Sequence, residues 1–240
     1  MRCIWAFLFV LMSPNIYSET IVLCSSDRFG VAQADGSGYY WDLLRVVYEA
    51  EGVILKHLSA PFQRCLDLVE SKEVDGAVAV FETPERRKKF TYPKSRLSFS
   101  SYGLIHLRQT PFDKLENVRG DVGVIRGYDF SAWLPSSLSI VPLDNNIQAI
   151  KMLNMRRLEY HADDINDVLL TLKKIGERSD NFSFKELHVR SLFNAMTKDV
   201  RGQTLADKFD SGLRKAFKSG DLERLLKKYE VKNSTLGDFD

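Results

Sequence analysis

Thr83-Pro84-Glu85-Arg86, inside the run Val74–Phe90, is where residue type and spacing in this 240-residue chain most plainly suggest chemistry. Val74–Phe81 is a short apolar, β-branched run that reads as a buried strand. Thr83 then reads as a helix N-cap, Pro84 as the first helical residue, where no N–H is needed, and Glu85 as a favourable first-turn charge. Arg86 falls where the helix dipole is already positive. A guanidinium there makes sense if an anion rests against both the arginine and the free amides. The plainer alternative is that Arg86 pairs with Glu85 or faces solvent.

The remaining chemistry-bearing residues form no catalytic pattern. The four histidines, His57, His106, His161 and His188, are scattered without metal-ligand spacing, and neither a glycine-rich phosphate loop nor a nucleophile elbow is present. Neither the histidines nor any motif implies a cofactor. Outside the first twelve residues two cysteines remain, Cys24 and Cys65, which are either one disulfide or two separate buried thiols.

Composition narrows the class. At 44% hydrophobic and 28% charged, the chain is ordinary for a globular protein and long enough for one large domain or two small ones. Residues 1–18 stand apart: Arg2, the apolar run Cys3–Met12, the break Ser13-Pro14-Asn15 and the small residue Ser18 read as a secretory leader cut before Glu19. Without Arg2 the chain carries 33 basic and 32 acidic residues, so no global field draws it to nucleic acid or anionic lipid. The expectation is an exported, periplasmic monomer.

The elements that must position Arg86 follow from periodicity. Strand Thr20–Cys24, helix Tyr39–Glu51 closed by Gly52, strand Val53–Leu58, a helix opened by Pro61 and the strand before Thr83 give β-α-β-α-β, an open parallel sheet with helices on both faces. A second α/β set comprises strand Ser101–Leu107, strand Val122–Ile125, a helix over Ile147–Met155 capped by Asp144, strand Leu158–Ala162 and helix Ile165–Ile175 ending at Gly176. Strand Glu186–Arg190, a crossing segment Leu192–Thr197 and helices Thr204–Lys218 and Leu222–Tyr229 complete the chain. Two α/β units joined twice imply two lobes, with a ligand cleft between the carboxyl ends of their strands.

With these elements in place, the chain resembles the family 3 extracellular solute-binding proteins, the amino-acid-binding type that serves importers of the ABC class. The carriers are Gly38-Tyr39-Tyr40-Trp41-Asp42-Leu43, Val74-Asp75-Gly76-Ala77, Thr83-Pro84-Glu85-Arg86, and Ser219-Gly220-Asp221-Leu222 with Tyr229, in the family's order and spacing. The resemblance runs from about Thr20 to Tyr229 and implies an α/β, two-lobed, type II periplasmic-binding-protein-like fold. Each lobe would be a sheet flanked by helices: 19–100 with 190–240 as lobe 1 and 101–189 as lobe 2, joined by a two-segment hinge near 98–103 and 187–192.

The resemblance also implies site roles. Arg86 matches the arginine that clamps a ligand α-carboxylate, Asp164 the second-lobe acid that binds the ligand ammonium, and Phe29 and Phe62 the aromatic walls. Each has a structural alternative: Asp164 as a helix cap, Phe62 as core. Two departures bear on the ligand. Phe81 stands where a small hydroxyl residue is usual, and Tyr128-Asp129 follow Gly127 where Ser or Thr is usual. Asp129 would oppose an anion at Arg86 unless it pairs with Arg86 or with a cationic ligand group. The expected ligand is therefore an altered one, aromatic or cationic or a modified amino acid, delivered to an inner-membrane ABC permease; the alternative is no small ligand at all. The rivals are a secreted cyclohexadienyl-dehydratase-like enzyme, with Glu82, Asp129 and Asp164 as its acid candidates, and a sensory or interaction protein without transport coupling.

Overall fold

A computed structural model describes residues 18–130 and 133–231. The expected leader, apart from Ser18, lies outside the described residues. The elements are β1 (Glu19–Ser25), α1 (Tyr39–Glu49), β2 (Val53–Ser59), α2 (Phe62–Glu70), β3 (Gly76–Val80), α3 (Pro84–Lys89), β4 (Ser98–Leu107), β5 (Gly120–Ile125), β6 (Leu138–Leu143), α4 (Asn146–Asn154), β7 (Tyr160–Asp164), α5 (Ile165–Ile175), β8 (Phe182–Met196), α6 (Val200–Ser219) and α7 (Asp221–Lys228).

The eight strands form one sheet in the order β2-β1-β3-β8-β4-β7-β5-β6. β1 pairs in parallel with β2 and β3, and β5 pairs in parallel with β6 and β7. Between these two parallel triplets runs the antiparallel pair β4–β8, itself antiparallel to β7 on one side and β3 on the other. The parallel sheet expected from the β-α-β order therefore holds within each triplet. It fails at the centre because β8 returns through the sheet after the second triplet is complete.

Alternate residues of β1 face opposite sides, as the period of a strand requires. Ile21 and Leu23 pack in a core with Leu43, Leu44 and Val47 of α1, Leu205, Phe209 and Leu213 of α6, and Leu222 and Leu226 of α7. Cys24 packs on the other side with Cys65, Leu66 and Val69 of α2. The two cysteines are bridged there, with Cα atoms 5.4 Å apart. A third core joins Ile105, Ile125 and Leu143 to Ile150 and Leu153 of α4 and Val168 and Leu172 of α5. Two of the motifs that carried the family resemblance meet in space: Tyr229 Oη and Lys228 Nζ each donate to Asp42 Oδ2 at 2.7 Å. They dock the last helix onto α1.

Several sequence expectations need correction. The cap of α4 is Asn145, not Asp144: the Asn145 side chain accepts from Gln148 N, while Asp144 takes an ion pair with Arg126 at 2.9 Å. Helix α1 ends two residues earlier than expected, at Glu49, with Ala50 in the C-cap place and Gly52 in the turn beyond it. β6 has no counterpart in the sequence reading, and the expected strand Glu186–Arg190 and crossing segment Leu192–Thr197 are one fifteen-residue strand, β8.

Candidate functional site

The turn from β3 into α3 forms as its residue types require. Thr83 is extended, and its Oγ1 accepts from Arg86 N at 3.1 Å; Pro84 opens the helix. Just upstream, β3 carries a bulge between Ala77 and Val80, with Ala79 at a φ of 61°. A non-glycine residue in that region is strained by roughly 1–2 kcal/mol, and the bulge changes which side chains the strand sends toward the cleft. Phe81 follows directly and is buried.

Arg86 is buried too, at 8% exposure. Its guanidinium lies over the rings of Phe81 at 4.5 Å and Phe62 at 5.7 Å. Nη1 donates to Phe81 O at 2.8 Å, and Nη2 donates to Gly127 O at 2.6 Å, in the turn after β5. The arginine thus spans from the first half of the molecule to the second. Burial lowers its pKa, with Tyr92 and Asp129 acting in the opposite direction. Gly127 sits at a φ of +85°, and a Cβ there would come within 2.7 Å of Gln63 Oε1 and 3.1 Å of the Phe62 ring. Only glycine lets this turn come so close to α2.

Around Arg86 the cleft is filled with aromatic rings. Phe62 meets Tyr128 edge-on at 4.8 Å, Phe81 meets Tyr102 at 5.7 Å and Trp133 at 5.8 Å, and Tyr102 meets Phe130 at 5.4 Å. Arg190 of β8 lies over both Trp133 at 4.5 Å and Phe81 at 4.9 Å. Such contacts exceed simple area burial by about 0.5–1.5 kcal/mol each.

A second arginine, Arg28, occupies the other end of the cleft. Its Nε lies 2.5 Å from Asp167 Oδ2, and its guanidinium is 5.3 Å from the Tyr40 ring. Three buried carboxyls, Asp163, Asp164 and Asp167, lie together here: Arg28 faces Asp167 and acts on Asp164, while His161 Nε2 is 3.6 Å from Asp163 Oδ2. Asp164 caps α5, its Oδ1 accepting from Asn166 N and Asp167 N at 2.8 and 3.1 Å; Asp163 Oδ1 accepts from Asp164 N at 2.6 Å. Burial, and then the charge of Asp167, push the Asp164 carboxyl up to about 8, against the pull of Arg28. Burial also raises Asp167, with Arg28 opposing. Conversely, burial works against the Arg28 charge, and Asp167 together with Tyr40 and Tyr128 more than restores it. Arg28 offsets one of the three acids, and Asp164 meets the crowding by keeping its proton toward neutral pH.

A cavity of about 390 Å³ opens beside this cluster. It lies between the loop after β1, with Asp27, Arg28 and Phe29, the Ser59–Pro61 turn, the start of α4, and Asp163, Asp167, Thr171 and Lys174 of the second half. Its charged lining is four acids, Asp27, Asp144, Asp163 and Asp167, against Arg28 and Lys174. Lys174 Nζ sits 3.9 Å from Asp27 and 5.3 Å from the Phe29 ring. Among the described residues no group of three or more His, Cys, Asp or Glu is placed to hold a metal ion.

The six expected ligand residues are thus distributed over the cleft rather than gathered. Phe29 lines the cavity; Phe62, Phe81 and Arg86 form the aromatic end; Asp129 lies within the electrostatic reach of Arg86; and Asp164 caps α5 behind the cavity wall. Of the other acids weighed for catalysis, Glu82 pairs with Arg87 at 2.6 Å. Arg28, Asp163 and Asp167 were not singled out by sequence. The available signal was the spacing Asp163-Asp164-x-x-Asp167 at a helix start, opposite an arginine adjacent to Phe29.

Solved structures with this fold are numerous. A Streptococcus pneumoniae ABC uptake transporter substrate-binding protein with bound histidine is 16% identical, with 90% of this chain and 94% of that one covered at a TM-score of 0.78. A histidine kinase sensor domain with similarity to periplasmic binding proteins is 17% identical, covering 91% and 98%, TM-score 0.75. The substrate-binding protein of an amino acid ABC transporter is 16% identical, covering 88% and 98%, TM-score 0.74. At such identities the likeness is one of fold, the two-lobed α/β architecture of periplasmic binding proteins. No curated protein matches the sequence. Residues 23–232, almost all of the described chain, match the bacterial extracellular solute-binding proteins, family 3, and the chain belongs to that family.

Proposed function

We propose that the chain binds a small molecule carrying a cationic group in the 390 Å³ cavity, for delivery to an ABC-type permease. The observation that carries this reading is the buried excess of carboxyl over guanidinium at Asp163, Asp164, Asp167 and Arg28. A second cation beside Asp163 and Asp167 relieves that excess, and an anion worsens it. The lobes divide near the central strand pair, 19–100 with 190–240 against 101–189, and close about β4 and β8. Family membership supports an exported location, and among the described residues no helix is long and apolar enough to cross a membrane. Several solved relatives of the fold are described as bound to arginine or histidine, both able to carry a side-chain cation.

Binding rather than turnover is the reading favoured, because the one carboxyl raised to about 8 spends its Oδ1 on the amides of α5. A panel of amines, amino acids and organic acids in a thermal-shift assay tests it. A cation at a hundred times its Kd stabilises by about 2.7 kcal/mol, raising Tm by roughly 5–10 °C. If organic acids raise Tm and no cation does, the reading is wrong.

A further inference from the structure

The family position occupied by Arg86 implies a residue that reads a ligand carboxylate, yet here the guanidinium is engaged by the protein itself. Nη1 goes to Phe81 O and Nη2 to Gly127 O; Phe62 and Phe81 cover its faces; and it is absent from the lining of the cavity. Phe81 replaces the small hydroxyl residue that would have left room beside it. From these contacts we infer that Arg86 is a clasp between the two halves, not an anion reader, and that the cleft selects amines that lack a carboxylate. This rests on the cation-binding reading above and narrows its ligand class.

The geometry gives the selection a physical basis. A ligand carboxylate approaching the Nη1–Nη2 edge of Arg86 competes there with Phe81 O and with Gly127 O, which crosses from the other half. It must also pass Phe62, already against Tyr128, and Phe81, already against Tyr102 and Trp133, and approach the field of Asp129. Remaining in the cavity instead, it faces Asp27, Asp144, Asp163 and Asp167, with Arg28 already committed to Asp167 and Lys174 drawn to Asp27 at 3.9 Å. Either placement leaves a buried anion poorly paired, which is costly. An amine without the carboxylate meets neither difficulty.

Calorimetric titration of matched pairs separates the alternatives: agmatine with arginine, histamine with histidine, tyramine with tyrosine, and cadaverine with lysine. The expected result is that at least one decarboxylated amine binds ten times or more tighter than its amino acid. In Arg86→Ala, affinity for both members of that pair falls by a common factor, so their ratio stays within about twofold of its original value. If the amino acid binds as tightly as its amine or tighter, the clasp and its selection are overturned while cation binding stands. A selective loss of the amino acid in Arg86→Ala overturns the clasp in the same way. Binding by neither member of any pair overturns both readings. The ratio in the unsubstituted protein decides the question should Arg86→Ala fail to fold.

Discussion

The two arginines of the cleft differ in what holds them. Arg28 faces Asp167 at 2.5 Å, charge against charge, with two further acids behind it. Arg86 is held by two carbonyls and the faces of two rings. Both reach from the first half of the molecule to the second. At the Arg28 end carboxyls outnumber the basic groups, Arg28 and the nearby His161, and it is this end that the proposed ligand cation joins. At the Arg86 end two carbonyl dipoles and two ring faces occupy the guanidinium, and burial still lowers its pKa. What fills the surroundings of that arginine is protein, whereas Arg28 stands beside an open cavity.

Breaking the charged end has the largest expected effect. Arg28→Ala strands Asp167 among Asp163 and Asp164, and removing one partner of a buried pair costs roughly 3–5 kcal/mol. Urea denaturation at pH 8 should show that loss, and part of it should be recovered at pH 5 as the carboxyls take up protons. A loss independent of pH would show that Arg28 acts by packing alone. The dipolar end is tested at Gly127, where Gly127→Ala adds a Cβ against Gln63 and Phe62 at a positive φ. A cost of about 2 kcal/mol, the same at pH 5 and pH 8, is expected from the same denaturation series. A pH-dependent cost would mean that the Arg86 end also carries titrating acids.

The last test reads a slope rather than a single loss. A carboxyl raised to about 8 in the folded state binds a proton that the unfolded chain, with its usual value of about 4, has already released. Folded protein therefore holds more protons between those limits. Stability falls as pH rises from about 4 to about 8, by less than about 1.4 kcal/mol per pH unit. Asp164→Asn keeps a side-chain acceptor for the α5 amides and removes the titration, so its stability should vary less over that range. An unchanged slope in Asp164→Asn would place the proton elsewhere in the cluster.

Local rules made some of this architecture legible. Thr83, Pro84 and the bounds of α5 followed from capping chemistry, which depends on neighbours in sequence. β6 was missed because Ser139 and Pro142 read as loop residues; the strand lies at the edge of the sheet, where a proline sacrifices no ladder bond. β8 reads as two segments because Arg190 and Ser191 interrupt its apolar pattern, but its length is set by pairing first with β4 and then with β3. Arg86 was found by position, whereas its carbonyl partners could not be, since Gly127 comes close only through the tertiary fold. Arg28, within the polar stretch Ser25–Arg28, reads as a solvated charge until Asp167 is brought against it.

The central placement of β8 also orders the making of the molecule. The strands of the second triplet and their antiparallel partners come from one unbroken run, residues 98–196. β1, by contrast, lays Ile21 and Leu23 against α6 and α7, whose residues are synthesised last among those described, and Glu19 pairs with Arg201 and Lys208. At ordinary elongation rates, on the order of ten seconds separate the appearance of β3 from that of α6. For that interval α1 alone covers the Ile21–Leu23 face of the first sheet, and the half of the protein that is made first is the half that closes last.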